Sequence, residues 1–362
     1  MTLQDNLVRA RDGIQLGLLR FLLRLPSATQ LKISGRPAIV RDGQTLDPEV
    51  QLVLALQKRM RLPPLRAETP AKARRNMLAT TVAYSAGSME VRSTRDLVLD
   101  GPGGPLRARH YVPAEPGGPH PLLVFYHGGG FVLGDLETHD APCRYLCATA
   151  GVHVLSIDYR LAPEHPFPAA IEDAMFAFHW AVEHARELGA DPERVGVGGD
   201  SAGGNLSAVV SQLTRQNGAT PNLQLLLYPA VDRSVERPSA RLFSEGFLLT
   251  APDMEWFDQN YTGSSSSLRT DPRVSPLLTP NLSGLCPAVI ATAGFDPLRD
   301  EGEAYARMLD AERTKVVLKR FPGLIHGFIH MVTYSPAAAA ALSELSGMVR
   351  ALSRTSRSGS LS

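Results

Sequence analysis

The sequence is poor in cysteine, in aromatic residues and in net charge, and it holds no long apolar run. Its three cysteines, Cys143, Cys147 and Cys286, are an odd number scattered through 362 residues, which excludes a disulfide framework. A reducing, cytoplasmic setting is the expectation. Cys143 and Cys147 are four apart and would share a helix face, yet no second pair of His or Cys stands at zinc-like spacing. Both read as small core residues, and no metal or cofactor is expected. A formal net charge of +1 offers no general attraction to phosphate backbones or anionic lipid heads, so nucleic acid is not an expected partner.

The apolar stretch from Gly13 to Leu25 is interrupted by Arg20 and Arg24, lacks a small-residue cleavage site and is too short to span a bilayer. Stable membrane insertion is therefore not expected. Leu18, Phe21, Leu22 and Leu25 recur at helical spacing with arginines between them. Such a helix packs on its own protein or on a partner subunit, which leaves a homodimer open.

What the chain does have is a composition of 44% hydrophobic and 20% charged residues, enough for a substantial core. Residues 1–90 read as a helical segment without strand signals. Asp47-Pro48 opens a helix from Glu49 to Met60, and Leu62-Pro63-Pro64 ends it. From about Arg95 short apolar runs bounded by Gly and Pro alternate with helical stretches: Leu97 to Leu99, Leu122 to Tyr126, Val152 to Ile157 and Val195 to Val197. Leu223 to Leu227, Ala288 to Thr292 and Val316 to Leu318 continue the series. Alternation of this kind implies a parallel sheet covered on both faces. The rhythm stops over 232–278, which reads as an insertion lying over one end of the sheet. The catalytic domain is then 91–231 plus 279–354, with 355–362 as a flexible tail and Ser264 to Ser267 as an exposed turn.

Gly199-Asp200-Ser201-Ala202-Gly203 falls between the strand ending at Gly198 and a helix beginning at Ala202. A G-x-S-x-G elbow needs that strand–turn–helix context to hold its serine in a strained conformation at the sheet edge. The pattern alone is weak evidence. A rarer string, His127-Gly128-Gly129-Gly130, follows the strand Leu122 to Tyr126 and exposes backbone N–H groups. With the N–H of Ala202 these form an oxyanion hole for acyl transfer.

A serine hydroxyl needs a histidine to take its proton and a carboxylate to hold that histidine in the right tautomer. In the chain order Ser, acid, His, only His326 and His330 follow Ser201. His326 sits in a loop after the last expected strand and is favoured over His330, which falls inside the next helix. Asp296, directly beyond the strand Ala288 to Thr292, is favoured over Asp300 and Glu301, which a helix starting at Pro297 turns away. Asp200 reads as a structural hydrogen-bonding residue.

Together, His127-Gly128-Gly129-Gly130-Phe131, Asp158 to Glu164, Gly199 to Asn205, Asp296-Pro297-Leu298 and His326-Gly327-Phe328 resemble the hormone-sensitive lipase family of α/β-hydrolases, the bacterial family IV esterases. The resemblance spans about residues 45–350 and points to the Gly-Asp-Ser-Ala-Gly branch. It implies an α/β-hydrolase fold with a mostly parallel eight-stranded sheet flanked by helices, and a helical cap from the N-terminal segment plus the insertion. It also implies cofactor-free hydrolysis of short- to medium-chain acyl esters.

Residue by residue, the resemblance makes Ser201 the nucleophile, Asp296 the orienting acid and His326 the base, with Gly129, Gly130 and Ala202 as oxyanion donors. Arg160 and Glu164 resemble loop-fixing residues. Phe131, Phe247, Trp256 and Tyr261 are expected as walls of the substrate pocket. Lipids, aryl esters and amides are alternative substrates of the same machinery. A non-catalytic small-molecule receptor on a hydrolase scaffold is the other class of reading, but such a protein generally lacks a triad member.

Overall fold

A computed structural model describes residues 15–215, 218–263 and 265–353. The tail expected over 355–362 and Ser264 of the serine turn lie outside them. In chain order come α1 (described over 15–22), α2 (Ser27–Ser34), β1 (Val40–Arg41), β2 (Gln44–Thr45), α3 (Pro48–Arg59) and α4 (Pro70–Tyr84). The strands β3 (Ser93–Gly101), β4 (Gly104–Val112) and β5 (His120–Tyr126) follow. Next are α5 (Asp140–Ala150), β6 (His153–Asp158), α6 (Ala169–His184), β7 (Ala190–Asp200), α7 (Ala202–Thr214) and β8 (Gln224–Leu227). The chain continues through α8 (Pro238–Leu242), α9 (Ala251–Tyr261), β9 (Ala288–Phe295), α10 (Arg299–Ala311), β10 (Val316–Ile325) and α11 (Pro336–Ser353).

Eight strands form one sheet in the order β10-β9-β8-β7-β5-β6-β4-β3. The six from β10 to β6 run parallel, and β4, which pairs antiparallel with both β6 and β3, is the one strand of this sheet that runs against the rest. Both faces are covered, so β5 and β9 are buried almost throughout and read as unbroken apolar runs. Alternate residues of β5 serve opposite layers. Leu123 and Phe125 pack in a cluster with Cys143, Cys147 and Leu342, whereas Leu122, Val124 and Tyr126 pack with Ala174, Phe178 and Val209. The two cysteines of α5 are free and buried in that core.

The N-terminal segment is not purely helical: β1 and β2 pair as a short antiparallel hairpin around Asp42-Gly43. Asp47 caps α3 through a 3.0 Å bond from Glu49 N. In α1 and the turn after it the inward residues are Leu16, Leu19, Leu22 and Leu23, while Leu18 and Phe21 are exposed, so the buried face is rotated from the one expected. Arg20 fastens this helix by donating to Thr333 O and Ala86 O. No helix among the described residues is long and apolar enough to cross a membrane.

Parallel strands release their loops at one edge, and the segments expected to carry the chemistry all emerge there. The glycine loop follows β5, Ser201 follows β7, Asp296 follows β9 and His326 follows β10. Above this edge lie α4 and α9. α9 begins with a capping box between Thr250 and Asp253, and Asp253 also accepts from Arg66 N, tying the helix to the chain entering α4. Arg74 of α4 donates to Val132 O at 2.7 Å and pairs with Glu164 at 2.6 Å. Arg160 in turn grips Asp173 and Glu172.

Candidate active site

Ser201 sits between β7 and α7 with φ 54° and ψ −115°, a conformation that costs a non-glycine residue roughly 1–3 kcal/mol. Three backbone bonds hold it there: its N–H donates to Leu227 O, and its carbonyl accepts from Asn205 N and Ala230 N. The turn is so tight that a Cβ on Gly203 would stand 1.8 Å from Tyr126 O, which only glycine avoids.

His326 Nε2 lies 3.0 Å from Ser201 Oγ, and its Nδ1 lies 2.8 Å from Asp296 Oδ2. Asp296 is fully buried, and its other oxygen accepts from Leu298 N at 2.8 Å. With a carboxylate on Nδ1, the imidazole keeps its proton on that side and turns its Nε2 lone pair to the serine hydroxyl, which donates to it. The Tyr228 ring, 4.7 Å away, packs against His326 and limits its motion. His330 lies in the turn after Gly327 and does not reach Ser201 in place of His326. Asp300 and Glu301 point into α8 and the loop after β8, where they accept from Ser239 N and Val231 N.

Gly129, Gly130 and Ala202 border the same cavity as Ser201 and His326. Ala202 opens α7, so its N–H has no partner within the helix. The cavity is about 110 Å³, and its lining is dominated by carbon. Phe131 and Tyr261 line it, their rings stacked at 3.8 Å. Phe247 and Trp256 do not. Phe247 packs against Phe243 and Phe295 in the core, and Trp256 lies on the far side of Phe257. For Trp256 the reason is helical phase: Phe257 and Tyr261 are four apart on the α9 face turned to the cavity, and Trp256 is about 100° round from Phe257. A second cavity of about 360 Å³ lies beyond the first, between α3 and α4, and the two share Leu65, Met77, Leu248, Gly327 and His330 as walls.

Beside the nucleophile is a second polar cluster that sequence reasoning did not resolve. Asp200 is buried with His139 Nε2 at 3.2 Å, and the His330 ring stands edge-on to His139 at 4.6 Å. His139, Asp200 and His330 are the one group of three or more such side chains among the described residues whose ligand-type atoms all lie within 4.8 Å of one another. Burial pushes His330 down to about 3 and His127 to about 4, so both rings are neutral at ordinary pH. Burial works against the Asp200 carboxylate, yet His139 beside it and the N–H of Gly128 hold it at about 2. The sequence signal available for this cluster was the histidine in Glu137-Thr138-His139-Asp140, which looks like any helix start.

Residues 123–330 match the model of a family described as having the alpha/beta hydrolase fold. The carboxylic ester hydrolase LipN of Mycobacterium tuberculosis is 51% identical over 334 residues, covering 90% of this chain and 88% of that protein. An ethyl acetate hydrolase of Pseudomonas putida is 38% identical over 79% of this chain and 93% of its own length. Among solved structures, an ester hydrolase from the metagenome of Lake Arreo superposes with a TM-score of 0.81 at 42% identity, covering 84% of this chain and 98% of that one. The chain therefore belongs to the α/β-hydrolase fold family, within its hormone-sensitive lipase-like esterase branch.

Proposed function

We propose that this protein is a serine carboxylesterase acting on short- to medium-chain acyl esters, with Ser201, His326 and Asp296 as its triad. The observation that carries the reading is the unbroken chain Asp296–His326–Ser201, with contacts of 2.8 and 3.0 Å, opening on one apolar cavity. Ser201 Oγ attacks the ester carbonyl carbon while its proton passes to His326 Nε2, and the N–H groups of Gly129, Gly130 and Ala202 hold the resulting oxyanion. Collapse breaks the bond to the alcohol oxygen, which takes the proton from His326. Water then attacks the acyl-serine, giving its proton to His326. The acid leaves as Ser201 Oγ recovers that proton.

The small first cavity supports a short acyl group, and its continuation past Met77 supports medium chains. The residues over the cavity, from α4 and α9, support a cap drawn from 1–90 and 232–278. A fluorophosphonate probe tests the central claim: wild type should label and Ser201→Ala should not, with ester hydrolysis by the variant falling by roughly 10⁵-fold or more. A folded wild type that neither labels nor hydrolyses p-nitrophenyl acetate or butyrate would sink the enzyme reading and leave a receptor.

A further inference from the structure

We infer that Asp200 and His139 form a positioning pair that ties the oxyanion loop to the nucleophile's own strand and so sets the distance between the Gly129 and Gly130 N–H groups and Ser201 Oγ. The inference rests on the proposed esterase reading, because it presumes that those two amides receive the oxyanion.

Asp200 is the last residue of β7, one peptide from Ser201. Its Oδ1 accepts from Gly128 N at 2.8 Å, and Gly128 immediately precedes Gly129. The approach is close: a Cβ on Gly128 would stand 2.3 Å from Asp200 Oδ2. On its other side the loop is held by residues unconnected to the nucleophile, with Tyr159 OH donating to His127 O at 2.7 Å and Val132 N and Leu133 N donating to Gly129 O. Asp200 is thus the anchor that fixes the loop relative to Ser201 and not merely to the sheet.

His139 keeps that anchor charged and oriented. Its Nδ1 lies 3.0 Å from Thr138 Oγ1, whose single proton is shared between that nitrogen and Asp135 O at 2.9 Å. If the hydroxyl donates to Nδ1, the imidazole proton is on Nε2. If it donates to Asp135 O, Nδ1 carries a proton, and a bare Nε2 would set a lone pair 3.2 Å from a carboxylate oxygen. In both cases the stable arrangement puts a proton on Nε2, which faces Asp200 Oδ1 at 3.2 Å as an electrostatic contact and not as an aligned hydrogen bond. Among the described residues no lysine or arginine comes within ion-pair distance of Asp200, so the charge of this buried carboxylate depends on His139 and on the Gly128 N–H. Tyr228 OH, at 3.5 Å from Oδ2, adds little.

Neither residue gives a proton to substrate, so the pair acts through geometry. Misplacement of about 1 Å at a catalytic donor costs on the order of 10²-fold in rate.

The test compares wild type, Asp200→Ala, Asp200→Asn and His139→Phe, each counted by phosphonate burst titration so that only folded, reactive sites enter the rate. Asp200→Ala should lower kcat by about 10²-fold with KM within about threefold, and weaken a boronic acid that fills the oxyanion hole in parallel. Asp200→Asn keeps an acceptor for Gly128 N and should recover most of the loss. His139→Phe keeps a ring in the same packing and should fall between. If kcat per titrated site is unchanged in both Asp200→Ala and His139→Phe, or if KM rises while kcat and boronate affinity hold, the inference is overturned and the esterase reading stands. A wild type without phosphonate burst or turnover overturns both.

Discussion

Two histidine–aspartate pairs flank Ser201, and they are alike in burial and unlike in what they face. His326–Asp296, at 2.8 Å, turns an imidazole lone pair to the serine hydroxyl 3.0 Å away. His139–Asp200, at 3.2 Å, turns a carboxylate oxygen to a backbone N–H of the glycine loop. In the first pair the acid serves the histidine, fixing its tautomer so that a proton can move. In the second the histidine serves the acid, and no proton has anywhere to go. The same two side-chain types thus act as a proton relay or as a brace, according to which member meets the reacting group.

Amide substitution separates these roles most sharply. Asp296→Asn presents an N–H or a weaker acceptor to His326 Nδ1 and favours the tautomer with its proton on Nε2, facing the serine. A loss of kcat near 10⁴-fold is expected, measured on p-nitrophenyl butyrate at neutral pH. The same change at Asp200, which retains its acceptor, should cost far less. Equal losses at the two positions would erase the distinction between relay and brace.

The relay was legible in the sequence and the brace was not. Ser201, Asp296 and His326 follow a fixed chain order, and each falls just beyond a β-strand, so periodicity and order together single them out. His139 carries no such mark: its partner is 61 positions away in the chain, and only the packing of β5 against β7 brings the glycine loop, Asp200 and the α5 start together. The parallel sheet was readable because its strands are buried apolar runs. The β1–β2 hairpin was missed because its strands are two residues each, although Asp42-Gly43 is a turn signal and both residues have positive φ, 52° and 70°. Aromatic content does not reveal helical phase, and a shift of one residue on α9 exchanges Trp256 for Phe257; Phe247, in the loop before α9, turns instead to the core against Phe243 and Phe295.

Neither pair chooses the substrate; the walls do. Met77 borders both cavities, and Met77→Trp should close the way from the first to the second. Burying a methylene is worth about 0.8 kcal/mol, so excluding two of them lowers kcat/KM roughly tenfold. Decanoate and octanoate p-nitrophenyl esters should therefore lose about that factor, while acetate and butyrate hold within about twofold. A uniform fall across the series would mean that acyl chains do not pass Met77.

The smallest expected effect concerns acid stability, where the neutral histidine beside the brace can be isolated. Burial lowers His330 to about 3, whereas an unfolded histidine takes its proton near 6.5. Between those values the unfolded state holds the extra proton, so this residue removes stability as pH falls from about 6.5, by about 1.4 kcal/mol per pH unit. His110, His127 and His153, each lowered to about 4 by burial, act in the same direction. Buried carboxyls oppose them: burial raises Glu301 to about 8 and Glu49 to about 7, so the folded state keeps those protons, and their stabilisation fades as pH rises through those values. Asp200, held low, loses its stabilising share only as pH falls from about 4 toward 2, below this range. The two sets act in opposite directions in wild type, which makes the difference between variant and wild type the diagnostic quantity. His330→Gln removes one proton from the unfolded side, so between pH 7 and pH 5 its urea midpoint should fall less than that of wild type, by about 1–2 kcal/mol in unfolding free energy. Parallel pH profiles for the two proteins would show that His330 titrates alike folded and unfolded, and that the ring beside the brace is not kept neutral by burial.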